Sequence, residues 1–230
     1  MIKRLITLAL LAVFGVVFVS LLLGYTPDAE LNLTARFYAE HTAAELGAAN
    51  IVTAIVVTYR GLDTLGEVTV LFLAASIVGL VLAQTTPKTP RSRVPVGELL
   101  TTGTRFLVPL ILLLGVYVFV NGHLTPGGGF QGGAIIASGI LLLLLADPLR
   151  HFSHGLISSI ESVAGIFYVA IGLAGLFLAG GFLDNRILPL GALGELASAG
   201  AIPLIYSLIG LKVGAEFASI LASLSETEEL

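Results

Sequence analysis

Lys212 and Glu216 stand four residues apart inside a long apolar stretch, Ala201 to Leu224. Four residues is about one helical turn, so the ammonium and the carboxylate share a face. At 1.5 Å per residue, Lys212 lies about 18 Å from the far end of that stretch, too deep for its stem to carry the charge easily to water. Glu161 is the matching acid in the preceding apolar stretch, Gly155 to Ala179. If the two stretches pack antiparallel, Glu161 falls near the depth of Glu216. Carboxylate, amine and carboxylate together suit a proton relay. They suit equally a clamp between two helices. An ionisable group in hydrocarbon is costly to insert, so a functional use is the first question to ask of it.

A second acidic pair is Asp63 and Glu67, in Arg60-Gly61-Leu62-Asp63-Thr64-Leu65-Gly66-Glu67. They too share a helix face. Neighbouring carboxylates split their pKa values, which suits a proton or cation carrier. The plainer alternative makes Asp63 a helix cap and gives Glu67 an arginine partner. His123 begins a third candidate, His123-Leu124-Thr125-Pro126-Gly127-Gly128-Gly129-Phe130-Gln131-Gly132-Gly133. Five glycines and a proline between 126 and 133 rule out a lipid-facing helix there. Irregular backbone at a membrane survives only against protein or a water-filled cavity. Such a break frees carbonyls that can coordinate cations, and a histidine beside it titrates near neutral pH. The alternative is a tight turn whose glycines let helices approach closely.

Other chemistry is poorly supported. His151 and His154 follow Asp147-Pro148-Leu149-Arg150 and read as solvated interface residues, with no third ligand to make a metal site. Ser138, in Ala137-Ser138-Gly139, would need a poised base to act as an intramembrane nucleophile. Small residues in a span are more often packing surface. HExxH, Walker A and GxSxG strings are absent. Cysteine is absent too, which excludes disulfides and thiolate metal sites. The residues call for no cofactor.

The elements that must carry these groups are membrane helices. Of 230 residues, 56% are hydrophobic and only 11% are Asp, Glu, Lys or Arg, and the mean hydropathy is +1.01. Soluble domains carry roughly 25% charged residues. Eleven Lys and Arg spread along the chain make no basic face for nucleic acid. About 20 apolar residues cross a bilayer. Six stretches qualify: Leu5–Gly24, about Asp63–Gln84, Phe106–Val120 (or from Thr101), Gly132–Ala146, Gly155–Ala179 and Ala201–Leu224. The first is too long for a signal peptide and lacks an A-x-A site. Ala48–Tyr59 is apolar but only a dozen residues long, which suits an interfacial or re-entrant segment.

Charge arbitrates the count. With six spans, Lys3, Arg4, Lys88, Arg91, Arg93, Arg105 and Arg150 face the cytoplasm, and Arg36, Arg60 and Arg186 lie outside, seven against three. A seventh span would reverse the bias. The expectation is therefore an all-α, polytopic membrane protein with six transmembrane helices and both termini cytoplasmic. Thr85–Arg93 (TTPKTPRSR) reads as a basic cytoplasmic linker. The division is a two-span module over 1–84, a linker over 85–100, a four-span module over 101–224 and a solvated acidic tail over 225–230.

Two strings are specific enough to resemble known families. His123 to Gly133, followed by an apolar span, resembles the signature of the B subunit of Mrp-type multisubunit Na+/H+ antiporters. Asn50 to Val70, with RGLDTLGE at its heart, is similar to the end of the large A subunit of those complexes. It is similar also to the small E subunit of membrane-bound hydrogenases, which carry an Mrp-like module. The resemblance implies a fusion of an E-like and a B-like module, the latter on a four-helix plan. It implies an accessory subunit in a prokaryotic cytoplasmic membrane, partnered by other membrane subunits and handling Na+ and H+, without activity outside its complex. It lends interest to Asp63 and Glu67 in one string, and to His123, Pro126 and Phe130 in the other. Lys212, Glu216 and Glu161 rest on membrane depth alone.

Overall fold

The computed structural model describes residues 2–26, 30–84, 96–147, 150 and 152–227, with the side chains of 226–227 left aside. The expected linker at 85–93, His151 and residues 228–230 lie outside them. No strand occurs among the described residues. The helices are α1 (Ile2–Gly24), α2 (Leu33–Leu46), α3 (Ile51–Ala54), α4 (Gly61–Ala83), α5 (Glu98–Val120), α6 (Gly129–Ala146), α7 (His154–Leu178) and α8 (Ile202–Thr227). Six of them, α1 and α4–α8, are long and apolar enough to cross a membrane. The chain is a multi-pass membrane protein. Residues 1–37 and 38–230 form two units, and the candidate residues all belong to the second.

Several boundaries differ from the sequence expectation. α5 starts at Glu98, so residues 98–100 are its first turn and not linker. Glu98 in that turn complements the positive end of the helix dipole. α6 starts at Gly129, three residues before the apolar run. α8 continues to Thr227, and Ser225, expected in a solvated tail, is buried. Residues 33–46 fold as a helix although they are not apolar. Alanine, leucine, glutamate and arginine in LTARFYAEHTAAEL favour helix by propensity alone. Gly47 ends that helix with φ +66°, a left-handed cap that a side chain would strain.

The short apolar segment is bent off α2 by 84°. α3 opens on Asn50 as its cap and widens into a π-helical turn at Ile55–Tyr59. The wide turn leaves the Val56 carbonyl without its usual helical donor, and the Thr64 hydroxyl of α4 donates to it.

α8 is the centre of the second unit. α4, α5, α6 and α7 all pack on it. Ile202, Tyr206, Ile209, Val213 and Glu216 recur at three- and four-residue spacing and are all buried. They form the inward stripe expected of a helix surrounded by others. Leucines and phenylalanines of α5 such as Phe106 and Leu113 remain exposed, as lipid- or partner-facing positions should. One end of this bundle carries the starts of α4, α6 and α8, the ends of α5 and α7, and the loops at 121–128 and 179–201.

Candidate functional site

Lys212 and Glu216 are one turn apart on the buried face of α8, with Nζ 2.8 Å from Oε1. Glu216 is 0% exposed. Lys212 meets one Glu216 oxygen only, and Oε2 has no donor among the described residues. Glu161 of α7 completes the group, its Oε1 3.9 Å from the same Nζ. The antiparallel packing of α7 on α8 brings the three together. Phe72 of α4 adds its ring face, 4.8 Å from Nζ to the centroid. Two carboxylates thus share one ammonium. A buried ion pair is sound only if its spare lone pairs are satisfied, and here they are not. Such a group can take up a proton or a small cation.

Asp63 and Glu67 lie four residues apart on α4. Asp63 is exposed in the first turn of α4 and is held by Arg60, with 2.6 Å between Oδ2 and Nη2. The basic neighbour three residues earlier neutralises it. Glu67 is exposed on the same helix. Tyr168 is buried, and its hydroxyl lacks a hydrogen-bond partner among the described residues. The sequence reading missed it. The available signal was spacing: Tyr168 follows Glu161 by seven residues, two turns along the same face. Measured from the loop end at 1.5 Å per residue, Glu67 lies about 9 Å deep, Tyr168 and Lys212 about 15 Å, Glu216 about 21 Å and Glu161 about 25 Å.

The glycine-broken segment is built differently. His123 is fully buried, with Nε2 3.4 Å from the Glu195 carbonyl. Burial holds its imidazole below the ordinary histidine value. The carbonyls expected to be free for cations are mostly occupied. Asn50 Nδ2 donates to Gly122 O at 2.9 Å and to Thr125 O at 3.0 Å. The Thr53 hydroxyl donates to Gly122 O at 2.6 Å. The Asn50 amide donates to His123 O at 3.0 Å. Pro126 is exposed on this loop, and Phe130 packs half-buried against the core. A further link is Asn185, fully buried, whose Nδ2 donates to Leu46 O and Ala199 O. Next to it, Arg186 holds the Asp184 carboxyl down to about 2 by direct hydrogen bonding.

A sequence model described as a domain related to the MnhB subunit of Na+/H+ antiporters matches residues 99–219. The chain belongs to this MnhB-related family. A second model, described as the E subunit of MBH, matches residues 2–96. The chain is thus an E-like part fused to an MnhB-related part. An uncharacterized protein of Methanocaldococcus jannaschii is 33% identical over 71% of this chain and 72% of its own length. The B subunit of the Na+/H+ antiporter of Bacillus subtilis is 40% identical over 35% of this chain, and the match spans 51% of that protein. Among solved structures, a chain of the membrane-bound sulfane sulfur reductase, an archaeal respiratory membrane complex, has a TM-score of 0.80 and 40% identity. That match covers 97% of this chain and 98% of that one. A chain of the Mrp complex from Dietzia sp. has a TM-score of 0.77 and 28% identity, covering 99% of this chain and 26% of that one.

The family boundary shows what the Asn50 contacts do. Asn50 and Thr53 are E-like, whereas the loop they hold is MnhB-related. The clamp therefore joins the two parts, as does the packing of α4 on α8. Within the MnhB-related part the glycines seat helices. A Cβ on Gly132 would stand 2.6 Å from Gly115 O, and one on Gly133 2.8 Å from Gly210 O. His154 is exposed at the start of α7, where Ser153 caps the helix by accepting from Leu156 N. No cluster of three or more metal-ligating side chains occurs among the described residues. Ser138 is exposed and donates to Ala134 O of its own helix at 2.9 Å, a local bond that serves no nucleophile.

Proposed function

We propose that this MnhB-related chain is an accessory subunit of a multisubunit Na+/H+ antiporter module and lines part of its proton or sodium path. The observation that carries the reading is the buried group of Glu161, Lys212 and Glu216, in which the fully buried Glu216 is short of donors. Glu67 and Tyr168 extend it toward the loop end of the bundle. Both termini face the cytoplasm in this reading, from the seven-to-three distribution of basic residues. The chain works as part of a complex, stand-alone or redox-driven, and supplies translocation groups without a reaction of its own.

A structural role has its own support in the Asn50 clamp and the glycine contacts. The two roles separate on one assay. The Glu67→Ala chain is assembled with its partners, and sodium-dependent proton movement is measured per assembled complex. Flux abolished at normal assembly supports the path. Full flux at normal assembly removes Glu67 from it, and lowered assembly with normal flux per complex leaves Glu67 a structural role only.

A further inference from the structure

An open groove of about 640 Å³ runs along the outside of the bundle between α4, α7 and α8. Its walls are apolar: Ile166, Val169 and Leu173 line it and are 67%, 40% and 46% exposed. Its floor is polar, made by Glu161 and Lys212. Gly165 opens the way to that floor, since a Cβ there would stand 3.7 Å from the end of the Lys212 side chain. From Glu161 to Leu173 the groove follows α7 for about 18 Å, more than three turns of a helix laid beside it.

The floor is electrostatically incomplete on the groove side. Glu161 has only the 3.9 Å approach of an ammonium already held at 2.8 Å by Glu216. Among the described residues nothing donates a hydrogen bond to it. A lipid would not remedy this. Acyl chains carry no donor, and headgroups stay near the interface while Glu161 lies about 10 Å inside the start of α7. Interhelical polar contacts are what satisfies such a group in a membrane.

We infer that the groove seats a transmembrane helix from a neighbouring polypeptide of the complex, and that this helix brings a basic side chain to Glu161. The inference rests on the proposal that the chain works inside a multisubunit module. The incoming cation balances the second carboxylate, while the apolar walls take the rest of the helix. Glu161 and Lys212 then lie at the interface of two polypeptides, out of reach of lipid.

The chain has no cysteine, so single cysteines give unique handles. Ile166→Cys and Leu173→Cys, each carrying a benzophenone maleimide, are photolysed in the intact complex. The expected products join both positions to one apolar span of one other polypeptide, with a Lys, Arg or His within a turn of the linked residue. Glu161→Gln then lowers recovery of that polypeptide about tenfold, the size expected for an interhelical polar contact, and replacing its basic residue with Met does the same. Gly165→Leu, which fills the groove, also lowers recovery, whereas Gly165→Ala, which fits, leaves it unchanged. Links to lipid, to residues 2–24 of the same chain or to a span without a basic residue overturn the inference. A wild-type chain that purifies without partners contradicts the complex itself, a distinct result.

Discussion

The charge cluster at Glu161, Lys212 and Glu216 and the clamp at Asn50 and His123 both place polar groups where a membrane protein can least afford them loose. They resolve the problem differently. In the clamp, the Gly122, His123 and Thr125 carbonyls each meet a donor from the E-like part, and the buried His123 Nδ1 lacks a partner among the described residues. In the cluster, a fully buried carboxylate meets a lysine through one oxygen only, and a second carboxylate stands 3.9 Å from the same ammonium. Satisfied polar contacts rigidify and specify a structure. Unsatisfied ones keep the capacity to bind something. In the proposed reading, assembly belongs to the loop end and ion handling to the middle of the bundle.

The largest effect should come from the packing that supports both regions. Gly132→Ala puts a Cβ 2.6 Å from the Gly115 carbonyl and against Phe119. Backbone cannot yield there, so α5 and α6 must separate, at about 1–3 kcal/mol or more. Size-exclusion recovery and thermal unfolding of the detergent-solubilised complex should both fall. Normal recovery would show that the helix contact is not tight.

Asn50→Ala sharpens the comparison at the clamp. It removes two donors from the loop and a cap from α3. The expected loss is about 1–3 kcal/mol of stability, read as a lower melting temperature. Flux per assembled complex should stay normal. A flux defect at normal assembly would move the ion path into the loop.

His123 gives a smaller, pH-dependent effect. Its folded pKa is depressed, so its contribution is present above the ordinary value near 6.5. As pH falls below that value, the unfolded chain takes up a proton that the buried ring resists. Stability is lost until pH passes the folded pKa, by at most about 1.4 kcal/mol per pH unit. His123→Gln should flatten the melting temperature between pH 6.5 and 5 relative to wild type. An unchanged slope would mean that other groups set it.

Much of this division is legible in the sequence, because depth and spacing are one-dimensional quantities. Apolar run length marks α1 and α4–α8, and the four-residue step from Lys212 to Glu216 puts both on one buried face. Antiparallel packing then brings Glu161 to the pair, as depth alone suggests. What hydropathy cannot mark is α2, whose helix comes from propensity, or the start of α5, where Glu98 and Arg105 break the apolar run. Long-range partnerships are equally silent. Asn50 looks like an ordinary cap until Gly122, 72 residues away, meets its side chain. The glycine break looks like exposed backbone for the same reason, since its donors come from the other part of the chain.

The most direct measurement is on Glu216. Glu216→Gln keeps the side chain's shape and removes the charge that distinguishes the cluster from the clamp. Complexes carrying it are quantified after assembly, and sodium-dependent proton flux is read per complex. The account predicts normal assembly with flux lost. Unchanged flux at normal assembly would contradict it and leave the buried charges as a clamp between α7 and α8.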